Sequence, residues 1–299
     1  MSWSAKSRDH HLVTVERLAG DEYSHTSTDA TETGTTYVTK ESITFTATAG
    51  KYYMLCKASV MQDTAAQVTT VSAYDGTTNY GEMTMTPIGS TSEERSWMFL
   101  VRLEPGAGSE TWGIQLKTSS GGTARLTSQS IWIFREDSFA DPWYFNGTTT
   151  ETETATSMTA TEGTLEVTPP VAGDYLIIAT AIVTAGNNAT INGEHQLEHD
   201  DNGTPTVKSL DSLKAGIANM ANNRYAHGYA EVLTLPATTQ TFEFQQRRTG
   251  SGLGASARTY HKTIAALRLP VAATPPPPSA GGPRGPLKHV FTGPFGGPL

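Results

Sequence analysis

One stretch of this chain has the residue types and spacing of a metal centre. His195-Gln-Leu-Glu-His199 fits H-x-x-E-H, in which two histidines a helical turn apart grip one zinc ion and the glutamate polarises a water. That chemistry needs a helix, and the flanks argue against one: Asn192-Gly193 precede the motif and Asp200-Asp-Asn-Gly203 follow it. The segment therefore predicts a hairpin strand with His195, Leu197 and His199 on one face, and no metal. The oxygens of Asp200, Asp201 and Asn202 could suit a hard cation, but a calcium loop's twelve-residue spacing and closing glutamate are missing, and Asn-Gly is a hairpin turn. Cys56 sits alone in an apolar strand and reads as buried. There is no Gly-x-Ser-x-Gly, no phosphate-cradling glycine loop and no dinucleotide fingerprint, and Glu93-Glu94 lie in a polar loop. Two carboxylates facing each other across a cleft leave no linear motif. On these patterns the chain is expected to have no catalytic residue, no cofactor and no enzymatic activity.

The elements that carry these residues come in two copies. Residues 43–60 and 165–183 share an apolar strand, a turn ending in Ala-Gly and an aromatic opening the next strand, with Gly50 and Gly173 spaced by 123 residues. Further blocks follow in the same order. Trp97 to Leu103 matches Tyr229 to Leu235 at 132, Thr111 to Gln115 matches Thr241 to Gln245 at 130, and Ser130 to Arg135 matches Thr263 to Arg268 at 133. A repeat this long predicts two modules, each with its own core. The boundaries read as 1–136 and 137–270, then a proline-rich linker 271–283 and a C-terminal peptide 284–299. The 47 threonines and the period-2 alternation argue for all-β architecture, two tandem sandwiches of jelly-roll type. One stretch, residues 209–222, reads as a short helix.

Within this pattern Phe45, Gly50, Tyr52 and Ile131 to Phe134, with Val167, Gly173, Tyr175 and Ile264 to Leu267 in the second copy, resemble the jelly roll of the tumour necrosis factor and complement globular-head superfamily. The resemblance implies a homotrimer.

The net charge of −8 leaves an acidic body, which repels phosphate backbones, so no nucleic-acid partner is expected. A single cysteine permits no internal disulfide, and no apolar run approaches a membrane span, so the chain is expected to be made in a host cytoplasm without membrane insertion. Trp132 alternates with Ile131 and Ile133 and is an interface candidate. Trp143, Tyr144 and Phe145 are candidates for packing the two modules together. Four consecutive prolines, 275–278, favour an extended helix rising about 3.1 Å per residue, so the dozen residues 271–282 reach on the order of 35 Å and hold the last segment away from the body. That segment carries Arg284, Leu287, Val290, Phe291, Phe295 and Leu299. A solvated tail avoids such apolar side chains, so they read as a docking peptide. Together these features resemble accessory proteins of tailed-bacteriophage virions, of decoration, spike or fibre type, with other virion proteins as partners of the tail. The rival expectation is a host-adhesion module whose loops 75–80, 187–192 and 200–204 touch glycans.

Overall fold

A computed structural model describes residues 22–26, 29–86, 93–185, 191–215, 224–249 and 256–269. Within them the chain is built of antiparallel strands. The first run comprises β1 (Glu22–Thr26), β2 (Ala30–Glu32), β3 (Val38–Ala47), β4 (Tyr52–Gln62), β5 (Thr69–Tyr74), β6 (Asn79–Met85), β7 (Glu93–Leu103), β8 (Gly108–Thr118) and β9 (Ala124–Arg135). A single 3₁₀ turn, Glu136–Ser138, leads to the second. That run comprises β10 (Pro142–Gly147), β11 (Glu151–Glu153), β12 (Thr159–Val167), β13 (Gly173–Ala185), β14 (Ile191–Asp201), β15 (Pro205–Ala215), β16 (Tyr225–Leu235), β17 (Gln240–Thr249) and β18 (Ala257–Arg268).

Each run folds into two sheets. The first gives β1-β9-β4-β7, with β2 also on β9, facing β3-β8-β5-β6; the second gives β10-β18-β13-β16, with β11 on β18, facing β12-β17-β14-β15. Counting β1 with β2, and β10 with β11, as one broken strand, both have the eight-strand jelly-roll order. The alternation that suggested strands is the alternation of burial: in β12 every second residue from Thr161 to Val167 faces inward. Ile43, Phe45, Met54, Trp97 and Trp112 lie in the first core. Val167, Tyr175, Ile177, Phe242 and Phe244 lie in the second.

A third apolar layer joins the sandwiches. Tyr53, Leu55, Leu100 and Phe134 from the first meet Leu176, Ile178, Ala265 and Leu267 from the second, with Phe139 of the linking turn among them. The two inner sheets are thus covered on both faces, and β4 and β13 read as continuous apolar runs for that reason. At the centre of the layer Leu100 N donates to Thr180 Oγ1 (3.2 Å), which pairs with Thr263 Oγ1 (2.6 Å).

Three sequence expectations need correction. Glu93 and Glu94 open strand β7, paired with Gln62 and Met61, and do not lie in a loop. Residues 209–215 belong to strand β15 and not to a helix, while 216–222 fall outside the described residues. Leucine, lysine and alanine favour a helix in isolation, but pairing along β14 from Pro205 to Ala215 overrides that weak preference. The second block of the repeat, Trp97 to Leu103, is also displaced. Tyr52 pairs with Leu103 and Tyr175 with Leu233, so the copies of this strand are 130 residues apart, and Trp97 corresponds to His227 rather than to Tyr229.

Candidate functional site

His195 and His199 lie on β14 with Leu197 between them, all three turned into the core. Four residues of extended strand put the two histidine Cα atoms about 13 Å apart, so the pair lacks the one-turn helical spacing that brings two histidines onto one ion, and Glu198 points the other way. His199 stacks on Phe242 at 4.4 Å and its Nε2 pairs with Gln240 Oε1 at 2.8 Å; burial holds its pKa below the ordinary histidine value. Among the described residues no three potential ligands converge on a metal. At the following turn Asn202 (φ 49°) and Gly203 (φ 90°) are both left-handed, as a type I′ hairpin requires. Its oxygens are in use: Asp200 Oδ1 accepts from Gly203 N at 2.7 Å and Asp201 Oδ1 from Gln240 Nε2 at 2.8 Å.

The registers of the two sandwiches show what His195 belongs to. Both carry a bulge at the same place, between Ser59 and Val60 and between Ile182 and Val183, so Leu126 corresponds to Thr259. Pairing of Val71 with Leu116 corresponds to that of His195 with Gln246. In the first sandwich this layer is Val71, Trp97, Leu116 and Leu126, all fully buried, with Trp97 Nε1 donating to Gly81 O at 3.0 Å. In the second the same positions are His195, His227, Gln246 and Thr259, equally buried, and Ser209 stands where Gly81 would. One copy has an oily layer and the other a polar one.

The polar layer is partly self-satisfied. Ser209 Oγ and His227 Nε2 are 2.6 Å apart, and Thr259 Oγ1 donates to Gln246 Oε1 at 2.8 Å. His195 Nδ1 has Thr259 Oγ1 only at 3.5 Å, and its Nε2 finds no hydrogen-bond partner among the described residues. Burial, reinforced by His227, lowers the His195 pKa to about 3, so the ring is neutral at any ordinary pH. The hydroxyl and imidazole of Ser209 and His227 have a nucleophile–base spacing, but both are buried, so the pair is closed to solvent.

Beside this layer, Lys262 of β18 is completely buried and its ammonium touches Glu151 Oε1 of β11. Glycines flank the stem: a Cβ on Gly163 would lie 3.0 Å from Lys262 Cδ, and one on Gly147 3.1 Å from Cε. The two Glu151 oxygens accept the Glu162 backbone N–H at 2.9 and 3.0 Å. Burial lowers the lysine pKa to about 8.

The other candidates divide by strand face. Trp132 packs in the apolar layer between the sandwiches. So does Tyr144, whose ring lies 4.6 Å from the Arg102 guanidinium and whose hydroxyl accepts from Arg102 N at 3.3 Å. Its neighbours Trp143 and Phe145 turn the other way and pack on the second core, Trp143 against Tyr175 at 5.9 Å. Where the sandwiches meet, Gly50, Lys51, Glu136, Asp137, Phe139 and Pro142 line an open hollow of about 550 Å³. Glu136 is its hub, accepting from Tyr53 Oη at 2.6 Å and Arg102 Nη1 at 3.3 Å. Loop 75–80 is knotted on itself, Asp75 taking the Thr77 and Thr78 amides at 2.9 and 2.7 Å and the Tyr80 hydroxyl at 2.8 Å. Arg284, Leu287, Val290, Phe291, Phe295 and Leu299 lie outside the described residues, as do 187–190 of the second loop.

No family model and no curated protein matches this chain. Solved structures to which it is similar include PNGase F, a glycosylasparaginase from Flavobacterium meningosepticum (TM-score 0.36, 12% identity, 84% of this chain and 96% of that one). They also include the triple jelly roll of an archaeal virus turret (0.24, 14%, 84% and 61%) and infectious bursal disease virus, Gx strain (0.27, 12%, 83% and 73%). The expectation that this chain is not an enzyme is withdrawn in view of the amidase structures among these. It rested on absent local motifs, and groups brought together from separate strands leave none. No activity is carried over from likenesses of this strength.

Proposed function

We propose that this chain is a structural part of a virus particle, held there by its C-terminal peptide. The observation that carries this reading is the apolar layer that fuses the sandwiches into one four-sheet block. A part that must keep its shape while mounted needs its domains fixed to each other, and a shared apolar layer does that where a flexible linker does not. The block is also tied down where the tail departs. Arg268 Nη1 pairs with Asp141 Oδ2 at 2.8 Å and Leu269 N donates to Asp174 O at 2.9 Å. A pull on residues 270–299 passes into β18, which is hydrogen-bonded on one side to β13 and on the other to β10 and β11.

In its finer form the reading is an accessory protein of a tailed-bacteriophage virion, of decoration, spike or fibre type, with Phe291 and Phe295 as the anchors of the docking peptide. The trimer implied by the superfamily resemblance fits it: three tails on one oligomer gain avidity, because the second and third docking events are intramolecular. The rival reading, glycan binding by the outer loops, is weakened at 75–80 and 200–204, where the carboxylates already serve their own turns. Removal of residues 275–299 is the test. The truncated chain should fold and keep its oligomeric state but be missing from purified particles; particles that incorporate it at the normal level refute the proposal.

A further inference from the structure

We infer that Lys262 and Glu151 condense to an intramolecular amide, a covalent cross-link between the first and last strands of the second sandwich. Four observations converge on it. The lysine is fully buried, and its stem is fixed between Gly147 and Gly163, so the amine is delivered to one place. Among the described residues its acceptors are Glu151 and, at 3.5 Å, Thr149 O, which leaves an ammonium with three N–H groups poorly served and favours the neutral amine. The Glu162 amide points at the Glu151 carboxyl, where an oxyanion forms during attack. Lastly, the fold does not require the pair: the corresponding positions of the first sandwich are Gln129 and Ala30, and the bulge and β2–β9 registers that fix this match are shared.

The chemistry balances without a co-reactant. The ammonium passes one proton to the carboxylate, giving an amine and a carboxylic acid. The Nζ lone pair then attacks Cδ of Glu151, the N–C bond forms, and the second Nζ proton goes to the departing hydroxyl. One water leaves, and both charges disappear. Glu151 keeps some exposure at the sandwich edge, so the water has a way out. Ammonium carboxylates do not condense readily in water, but groups held in contact reach effective molarities of roughly 10⁵–10⁸ M, and exclusion of solvent removes the hydration that protects the charges. The lowered lysine pKa adds to the supply of free amine near neutrality.

The prediction concerns the chain itself and is independent of particle attachment. Denaturing mass spectrometry of the purified full-length chain, after proteolysis, should find the peptides bearing Glu151 and Lys262 joined, with the mass of one water missing. Glu151→Gln should give the same link with loss of ammonia instead, and Lys262→Met should give unlinked peptides of full mass. Unlinked, full-mass peptides from the folded wild-type chain overturn the inference, as does a mass deficit that persists in Lys262→Met. The wild-type result is decisive even if a variant fails to fold.

Discussion

Replacing His195 with valine, the residue that fills its place in the first sandwich, should flatten the acid sensitivity of the fold. His195 is buried, and burial reinforced by His227 lowers its pKa to about 3, far below the usual 6.5. The folded state therefore resists a proton that the unfolded state accepts. Above pH 6.5 the ring is neutral in both states and contributes no pH dependence. As pH falls below 6.5 the unfolded chain takes up the proton first, so stability drops by about 1.4 kcal/mol per pH unit until the folded pKa is reached. At pH 5 the loss from this one side chain is about 2 kcal/mol. His261, lowered to about 4 by burial and edge-on to Phe99, adds a similar slope that the variant retains. Urea unfolding followed by tryptophan fluorescence at pH 7.5 and 5.0 measures the difference. The wild type should lose about 2 kcal/mol more than His195→Val between these values. Equal losses would refute the reasoning, because they would mean that the ring is solvated or already charged.

Truncating the layer between the sandwiches by Leu100→Ala or Ile178→Ala should cost ~2–5 kcal/mol each, the range for a buried aliphatic side chain, and chemical denaturation will read it. Gly81→Ala should be worse placed than an ordinary strand substitution. Its φ is +59° and a Cβ would fall 2.2 Å from the Phe99 ring, so a loss above ~2 kcal/mol is expected in the same assay; a neutral outcome would contradict this packing.

The strands were legible because period-2 alternation and glycine turns are local, and the duplication confirmed them against each other. The helix misread at 209–222 shows the limit of local preference. The other copy held the remedy, since β6 at the equivalent position is plainly a strand. The polar layer was missed for a related reason. Its signal is a set of apolar-to-polar exchanges between copies: Val71 to His195, Trp97 to His227, Leu116 to Gln246 and Leu126 to Thr259. An offset misjudged by two residues in one block set Trp97 against Tyr229 and hid the exchange. His195 itself was noticed, but its neighbours in space come from four other strands and cannot be read from spacing. The same holds for Lys262 and Glu151, which are 111 residues apart and meet only when the sheet closes.

The central claim is that the fused block is the piece being mounted and the C-terminal peptide is the mount. Imaging virus particles from cells that produce this chain, at a resolution that traces side chains, tests it most directly. The account predicts the chain on the particle with Phe291 and Phe295 enclosed by a different virion protein. A chain absent from particles, or one held by its sandwiches with the peptide 284–299 touching nothing, would contradict it.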